Sequence, residues 1–265
     1  MNRCLIGDCI EQMGTLEAGS VQACVTSPPF WGLRDYGHPG QIGLEARPSQ
    51  YVEKLVQVFR SVRRLLRDDG TLWVNLGDTY AGYHGNSRVP DDEAPSNKPG
   101  YVENMRASCV GVEGLKAKDL AGIPWSVAFA LRADGWYLRS EVVWQKTNPM
   151  PETARDRPAR SHEQVFLLSK SRRYHYDPPP AARRTVWTLP VGRGHGGHRA
   201  VFPPDLVRPM ILASCPPDGL VLDPFMGSGT TAQVAQEEGR RWVGVELNRE
   251  YEDVIRQRTQ QVGLF

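Results

Sequence analysis

The chain has 265 residues, a net charge of +2, 40% hydrophobic and 23% charged residues, and a mean hydropathy of −0.45. This length allows one embellished domain or two smaller ones, and the composition excludes a disordered, fibrous or membrane-spanning chain, since no apolar run approaches the roughly 18 residues of a spanning helix. The charge is segregated: residues 155–199 hold ten Lys/Arg against three Asp/Glu, and the rest of the chain holds 22 against 27, which suits either a polyanionic partner or a solvated arginine-rich face.

Residues 1–8 contain too short an apolar run for a signal peptide, which predicts a cytoplasmic chain. Five cysteines, at 4, 9, 24, 109 and 215, are odd in number and form no CxxC, so neither a disulfide framework nor a zinc cluster is expected. Strands are predicted at 3–6, 23–26 (with Val21 before it), 71–76, 139–145, 164–168, 219–222 and 241–245. Several are continuously apolar, as strands covered on both faces are. A helix is predicted at 49–66 from Val52, Leu55, Val56, Phe59, Val62, Leu65 and Leu66 at spacings of three and four, closed by Asp68-Asp69-Gly70. Further helices are predicted at 119–132 and 229–238. Alternating strands and helices predict a doubly wound α/β sheet. Residues 82–118 and 178–200, rich in Gly, Pro and polar residues, break the pattern and read as long loops or small inserts.

Two constellations carry chemistry. In Ala23-Cys24-Val25-Thr26-Ser27-Pro28-Pro29-Phe30-Trp31 a strand ends in a hydroxyl, two prolines and an aromatic ring. The prolines lack N–H groups and fix φ, so the carbonyls of Ser27 and Pro28 are rigid acceptors for an amino group whose ring stacks on Phe30; a Pro-Pro turn with buried aromatics is the plainer alternative. In Val221-Leu222-Asp223-Pro224-Phe225-Met226-Gly227-Ser228-Gly229-Thr230-Thr231 a strand ends in an acid, turns through glycines and enters a helix. This turn is neither the dinucleotide fingerprint GxGxxG nor a P-loop, since no GK[ST] follows, so both rival readings lose residues they need here. Arg241-Trp242-Val243-Gly244-Val245-Glu246 is a second strand ending in an acid, suited to the two hydroxyls of a ribose.

Ser27-Pro28-Pro29-Phe30 resembles the catalytic motif, Asp223-Pro224-Phe225-Met226-Gly227-Ser228-Gly229 the cofactor motif and Glu246 the ribose acid of the S-adenosylmethionine-dependent DNA amino-methyltransferases. Leu5-Ile6-Gly7-Asp8-Cys9 resembles the family strand whose acid contacts the cofactor's adenine, and residues 200–207, with Phe202, the segment before the cofactor motif. With the catalytic motif first and the cofactor motif last, the order is that of the β group. The resemblance implies a single domain over residues 1–265: a Rossmann-like class I methyltransferase fold, mainly parallel and twisted, with helices on both faces and permuted motif order. It implies target-recognition segments at about 82–118 and 178–200. It further implies S-adenosylmethionine held by Asp8, Cys9, Thr26, Phe202, Asp223, Pro224, Phe225, Gly227, Ser228, Gly229, Thr230, Thr231, Glu246 and Leu247, with Asp223 and Glu246 bringing negative charge near its sulfonium.

The expected chemistry is direct methyl transfer to an exocyclic amine of a nucleotide flipped out of duplex DNA, with Ser27, Pro28, Pro29 and Phe30 as the catalytic set. No Pro-Cys is present for the covalent route to cytosine C5. Ser-Pro-Pro is associated in the family mainly with cytosine N4, the alternative being adenine N6. A catalytically silent DNA-binding module, and methylation of RNA or of a protein glutamine, are the readings from other classes. A homodimer and a cognate restriction endonuclease are the partners the resemblance suggests, in a bacterial, archaeal or phage-encoded protein; no membrane partner and no metal are expected. Arg34, Asp35 and Tyr36 are either residues lining the base pocket or, the plainer reading for any one of them, part of an ordinary surface loop, and Asp78 is either a pocket residue or a helix cap. His195 and His198 read as DNA-facing or simply exposed, Trp73, Trp125, Trp136 and Trp144 as core, and His162-Glu163 as a strand entrance without assigned chemistry.

Overall fold

The computed structural model describes residues 2–81, 111–152, 154–192 and 202–260. Its elements are β1 (Arg3–Ile6), α1 (Cys9–Gly14), β2 (Val21–Thr26), α2 (Pro48–Leu65), β3 (Leu66–Leu76), α3 (Ile123–Ala133), β4 (Tyr137–Lys146), β5 (His162–Ser169), β6 (Val186–Leu189), α4 (Pro204–Ser214), β7 (Leu220–Asp223), α5 (Thr230–Glu237), β8 (Arg241–Glu246) and α6 (Tyr251–Gln260). The strands form one sheet in the order β1-β8-β7-β2-β3-β5-β4-β6. Among these strands only β5 runs antiparallel to its neighbours, β3 and β4; every other pairing in the sheet is parallel.

The apolar strands divide their side chains between two cores, as the period-two geometry of a strand requires. Cys24, Leu72, Val74, Leu76, Phe166, Leu222, Val243 and Val245 face α1, α2 and α3. Their alternates Ala23, Val25, Trp73, Val165, Leu167, Val221 and Trp242 face α4 and α5. Helix α2 buries Tyr51, Leu55, Val58, Phe59, Val62 and Leu65 completely; Leu55, Phe59, Val62 and Leu65 are those its periodicity predicts, whereas Tyr51 and Val58 take inner positions and the predicted Val52 and Val56 are only half-buried. Among the described residues no helix is long and apolar enough to cross a membrane.

Several expectations are corrected. Asp68-Asp69-Gly70 does not follow the helix directly, because α2 ends at Leu65 and β3 begins at Leu66. Val21 pairs with Leu66 and Ala23 with Thr71, so residues 67–70 bulge out of the ladder with Arg67 and Asp68 exposed. The stretch 178–200 is not all loop. Val186–Leu189 joins the sheet edge beside β4, and Trp187 is buried with its ring centroid 6.0 Å from that of Trp73. Residues 82–110 and 193–200, with His195 and His198, lie outside the described residues. Trp73, Trp136 and Trp144 are core as expected, but Trp125 is 38% exposed, because α3 turns Ile123, Val127, Ala128 and Leu131 inward and leaves Trp125 beside exposed Phe129.

Trp73 ties the centre of the sheet to α4, donating from Nε1 to Ser214 Oγ at 2.6 Å. Trp73→Ala leaves a cavity and an orphaned hydroxyl, and urea unfolding is expected to show a loss of about 3–5 kcal/mol; a loss near zero would contradict this packing.

Candidate active site

Strands β1, β8, β7, β2 and β3 are mutually parallel, so their C-terminal ends meet at one edge, where open α/β sheets bind ligands. A cavity of about 720 Å³ opens there, within the roughly 300–1,000 Å³ of small-molecule sites. It collects residues from both predicted motifs. Asp8 and Cys9 line it after β1, Ser27, Pro28, Pro29 and Phe30 after β2, Pro224, Phe225, Gly227, Ser228 and Thr230 after β7, and Glu246 and Leu247 after β8, with Phe202 completing the wall.

Thr26, Asp223, Gly229 and Thr231 do not line the cavity; they stand behind its wall. Asp223 is 1% exposed. Its Oδ1 accepts from Thr26 Oγ1 at 2.7 Å and Phe225 N at 3.0 Å, and its Oδ2 accepts from Thr231 Oγ1 at 2.7 Å. The carboxylate is thus an internal clamp, which corrects the expectation that it faces a ligand. Gly229 precedes α5 at φ +85°, and a Cβ there would sit 3.3 Å from Ile255 Cγ1, so glycine is required for the turn to pack on α6.

Glu246 does face the cavity. Its Oε2 accepts from Gly227 N at 2.7 Å and its Oε1 from Asn248 N at 2.9 Å, while burial raises its carboxyl above the usual range. Each oxygen retains accepting capacity for a ligand hydroxyl. A Cβ added at Gly227 would meet no protein atom within 4 Å, so the turn leaves open space where a side chain would stand. Asp8 caps α1 through Oδ1, accepting from Ile10 N at 2.9 Å and Glu11 N at 3.0 Å. Burial, with Asp8 adding to it, pushes the Cys9 thiol up to about 12, so it is protonated and not a nucleophile at neutral pH.

The Ser27 segment is fixed from several sides. Pro29 O accepts from Tyr51 OH at 2.8 Å, Trp31 Nε1 donates to Glu45 O at 2.8 Å, and Gly32 N donates to Gly43 O at 2.9 Å. The Phe30 ring lies so close to Gly77 that a Cβ there would fall 2.4 Å from Phe30 Cε2. Ser27 Oγ donates to Asn75 Oδ1 at 3.2 Å, and Asn75 Nδ2 donates to Gln164 O at 3.3 Å.

Asn75 escaped the motif reading, although a lone amide inside Leu72-Trp73-Val74-Asn75-Leu76 was a visible signal. Arg34 and Tyr36 line the cavity, the pocket reading over the plainer surface-loop one, whereas Asp35 does not and instead accepts from Gly37 N at 2.7 Å. Asp78 fulfils both of its readings. It lines the cavity and caps α3 from outside that helix, accepting from Thr79 N at 2.9 Å, Ile123 N at 3.0 Å and Gly122 N at 3.1 Å. His162 and Glu163 also reach the wall, Glu163 in an ion pair with Lys146. Among the described residues no group of three or more His, Cys, Asp and Glu is placed to hold a metal ion.

Burial raises Asp223 from 3.8 to about 6 despite its three donors. Between those values the folded protein holds a proton that the unfolded chain has released, so this contribution to stability is complete below 3.8 and is lost as pH rises through about 6. The unfolding free energy of the wild type, relative to that of Asp223→Asn, is expected to fall between about pH 4 and 6 and to level off above. A relative stability that climbs with pH in that window would contradict the assignment.

A family model for DNA methylases matches residues 21–257. The type II methyltransferase M.Cfr9I of Citrobacter freundii is 49% identical over 264 residues, covering 96% of this chain and 86% of its own. M.SmaI of Serratia marcescens is 47% identical over 266 residues, with 96% and 89% covered. Among solved structures, the PvuII DNA methyltransferase (cytosine-N4-specific) superposes with a TM-score of 0.73 at 21% identity, covering 99% of this chain and 90% of that one. A Thermus thermophilus protein solved in complex with S-adenosyl-L-methionine gives 0.68 at 22% identity, with 100% and 98% covered. The sheet with helices on both faces is therefore the class I methyltransferase fold, and the chain belongs to the N6/N4 DNA methylase family, the amino-methyltransferases that its two motifs resemble.

Proposed function

We propose that this DNA methylase transfers a methyl group from S-adenosylmethionine to the exocyclic N4 amine of a cytosine flipped out of duplex DNA. The observation that carries the reading is the Ser27 hydroxyl. Its hydrogen is committed to Asn75, so its lone pairs are the part left to meet a ligand, as an acceptor of amine hydrogens must be. The Pro28 carbonyl, beside it in the cavity wall, accepts the second amine hydrogen, and Phe30 stacks on the ring and sets the line of attack.

When bound, S-adenosylmethionine supplies an electrophilic methyl group on a sulfonium, which a neutral amine attacks directly. The wall between β1, β7 and β8 suits it: Glu246 offers accepting oxygens for ribose hydroxyls, Asp8 stands at the end of β1, and the open Gly227 turn lets backbone approach closely. No thiolate is required, in keeping with the protonated Cys9. Ser27 supports cytosine over adenine, because Ser-Pro-Pro resembles the cytosine-N4 members of the family more than the Asp- or Asn-Pro-Pro of adenine-N6 members; the PvuII enzyme that shares the fold is cytosine-N4-specific. Within the single domain, DNA recognition is assigned to the segments 82–118 and 178–200, of which Val186–Leu189 serves the sheet. The type II designation of the relatives supports a cognate restriction endonuclease as partner.

Mass spectrometry of nucleosides from unmethylated DNA incubated with protein and S-adenosylmethionine is expected to find N4-methylcytosine. N6-methyladenine would overturn the base assignment, and no methylated nucleoside across DNA of high sequence complexity would overturn the activity.

A further inference from the structure

Arg160 and Thr79 line the cavity, and each carries a buried polar atom without a hydrogen-bond partner among the described residues, Arg160 Nη1 and Thr79 Oγ1. A buried guanidinium N–H without an acceptor is costly, so its persistence points to an acceptor that arrives with a ligand. Thr79 belongs to the side of the cavity that carries Phe30. The Phe30 ring lies against Gly77, and Asp78 and Thr79 follow it in the chain. The Asp78 carboxylate, committed to three backbone N–H groups, attracts the Arg160 charge without a direct ion pair among the described residues.

The segment that presents Arg160 is pinned. Arg160 N donates to Glu152 Oε1 at 3.2 Å, Arg157 Nη1 donates to Glu152 Oε2 at 2.5 Å, and the Arg157 guanidinium stacks 3.7 Å from the Tyr80 ring centroid. The backbone at Arg160 is therefore held in a fixed frame, and its Nη1 is unpaired among the described residues.

We propose that Arg160 is a base-reading residue: its Nη1–H donates to O2 of the cytosine whose amine faces Ser27, and the Thr79 hydroxyl donates to N3. The match is chemical. Beside its amine, cytosine presents two successive acceptors, N3 and O2, where adenine presents N1 and then a C–H. A base that fills only one of two buried donors leaves the other orphaned, so the wall discriminates through the missing bond. This inference rests on the cytosine reading of Ser27 and adds to it the group that enforces the choice.

The test uses the full chain. The wild-type methylation position is mapped on plasmid DNA, and duplexes are made carrying at that position either cytosine or a 2-aminopyridine C-nucleoside, which keeps the ring nitrogen and the amine but lacks O2. The wild type is expected to favour cytosine in kcat/KM, and Arg160→Gln to reduce that preference by roughly tenfold or more, with S-adenosylmethionine affinity and Tm unchanged. A preference that survives in Arg160→Gln, as it would if the arginine bound a phosphate or only braced the loop, overturns the proposal. Absence of any preference in the wild type overturns it without recourse to a variant. A wild-type product of N6-methyladenine overturns both this inference and the Ser27 reading, whereas N4-methylcytosine with an unchanged preference overturns this inference alone.

Discussion

The parallel pairing of β2 with β7, locked by the Asp223 carboxylate, is the constraint on which the site depends. It joins the catalytic and cofactor motifs, 197 residues apart in sequence, through a buried 2.7 Å bond from Thr26 to Asp223. The same carboxylate holds Thr231 at the start of α5 and the Phe225 amide in the turn. One buried acid thus fixes two strand ends and a helix terminus. Burial makes its charge expensive, and three donors offset part of that cost.

From that junction the cavity divides naturally. Its β1, β7 and β8 side is built from backbone turns stapled by carboxylates, Asp8 onto α1 and Glu246 onto the Gly227 turn. Its β2 and β3 side is built from a rigid proline segment braced by Tyr51, Gly43 and the bare face of Gly77. Acceptors and ring on one side and carboxylates on the other are what a transfer between two bound molecules requires, since holding both reactants in register supplies much of the rate. Asn75 links this side to β5 through Gln164, so the direction of the Ser27 hydroxyl is set by the sheet itself.

Much of this was legible in the sequence because the signals are local. Strands covered on both faces read as continuous apolar runs, α2 as a clean helical stripe, and the two motifs as strand-turn units. What was not legible depends on partners distant in sequence. Asp78 read as a pocket residue or a helix cap, but no local pattern announces that the helix it caps is α3, 45 residues on at Ile123. Helix α1 is six residues long and α4 contains Pro209, so neither shows a sustained period. Strand β6 hides in a Pro- and Gly-rich stretch and is held by Trp187 against Trp73. Asp223 was identified as important from its motif, but its role changed, since only the tertiary structure reveals that its oxygens point inward at two threonines.

The central claim is that one cavity holds a cofactor side and an amine side with separable duties. Calorimetric titration of S-adenosylmethionine into Ser27→Ala, alongside its turnover on DNA, tests this most directly. The account predicts wild-type affinity with turnover reduced by roughly a hundredfold or more, the scale of a lost positioned acceptor. Unimpaired turnover, or an affinity lost together with turnover, would contradict it.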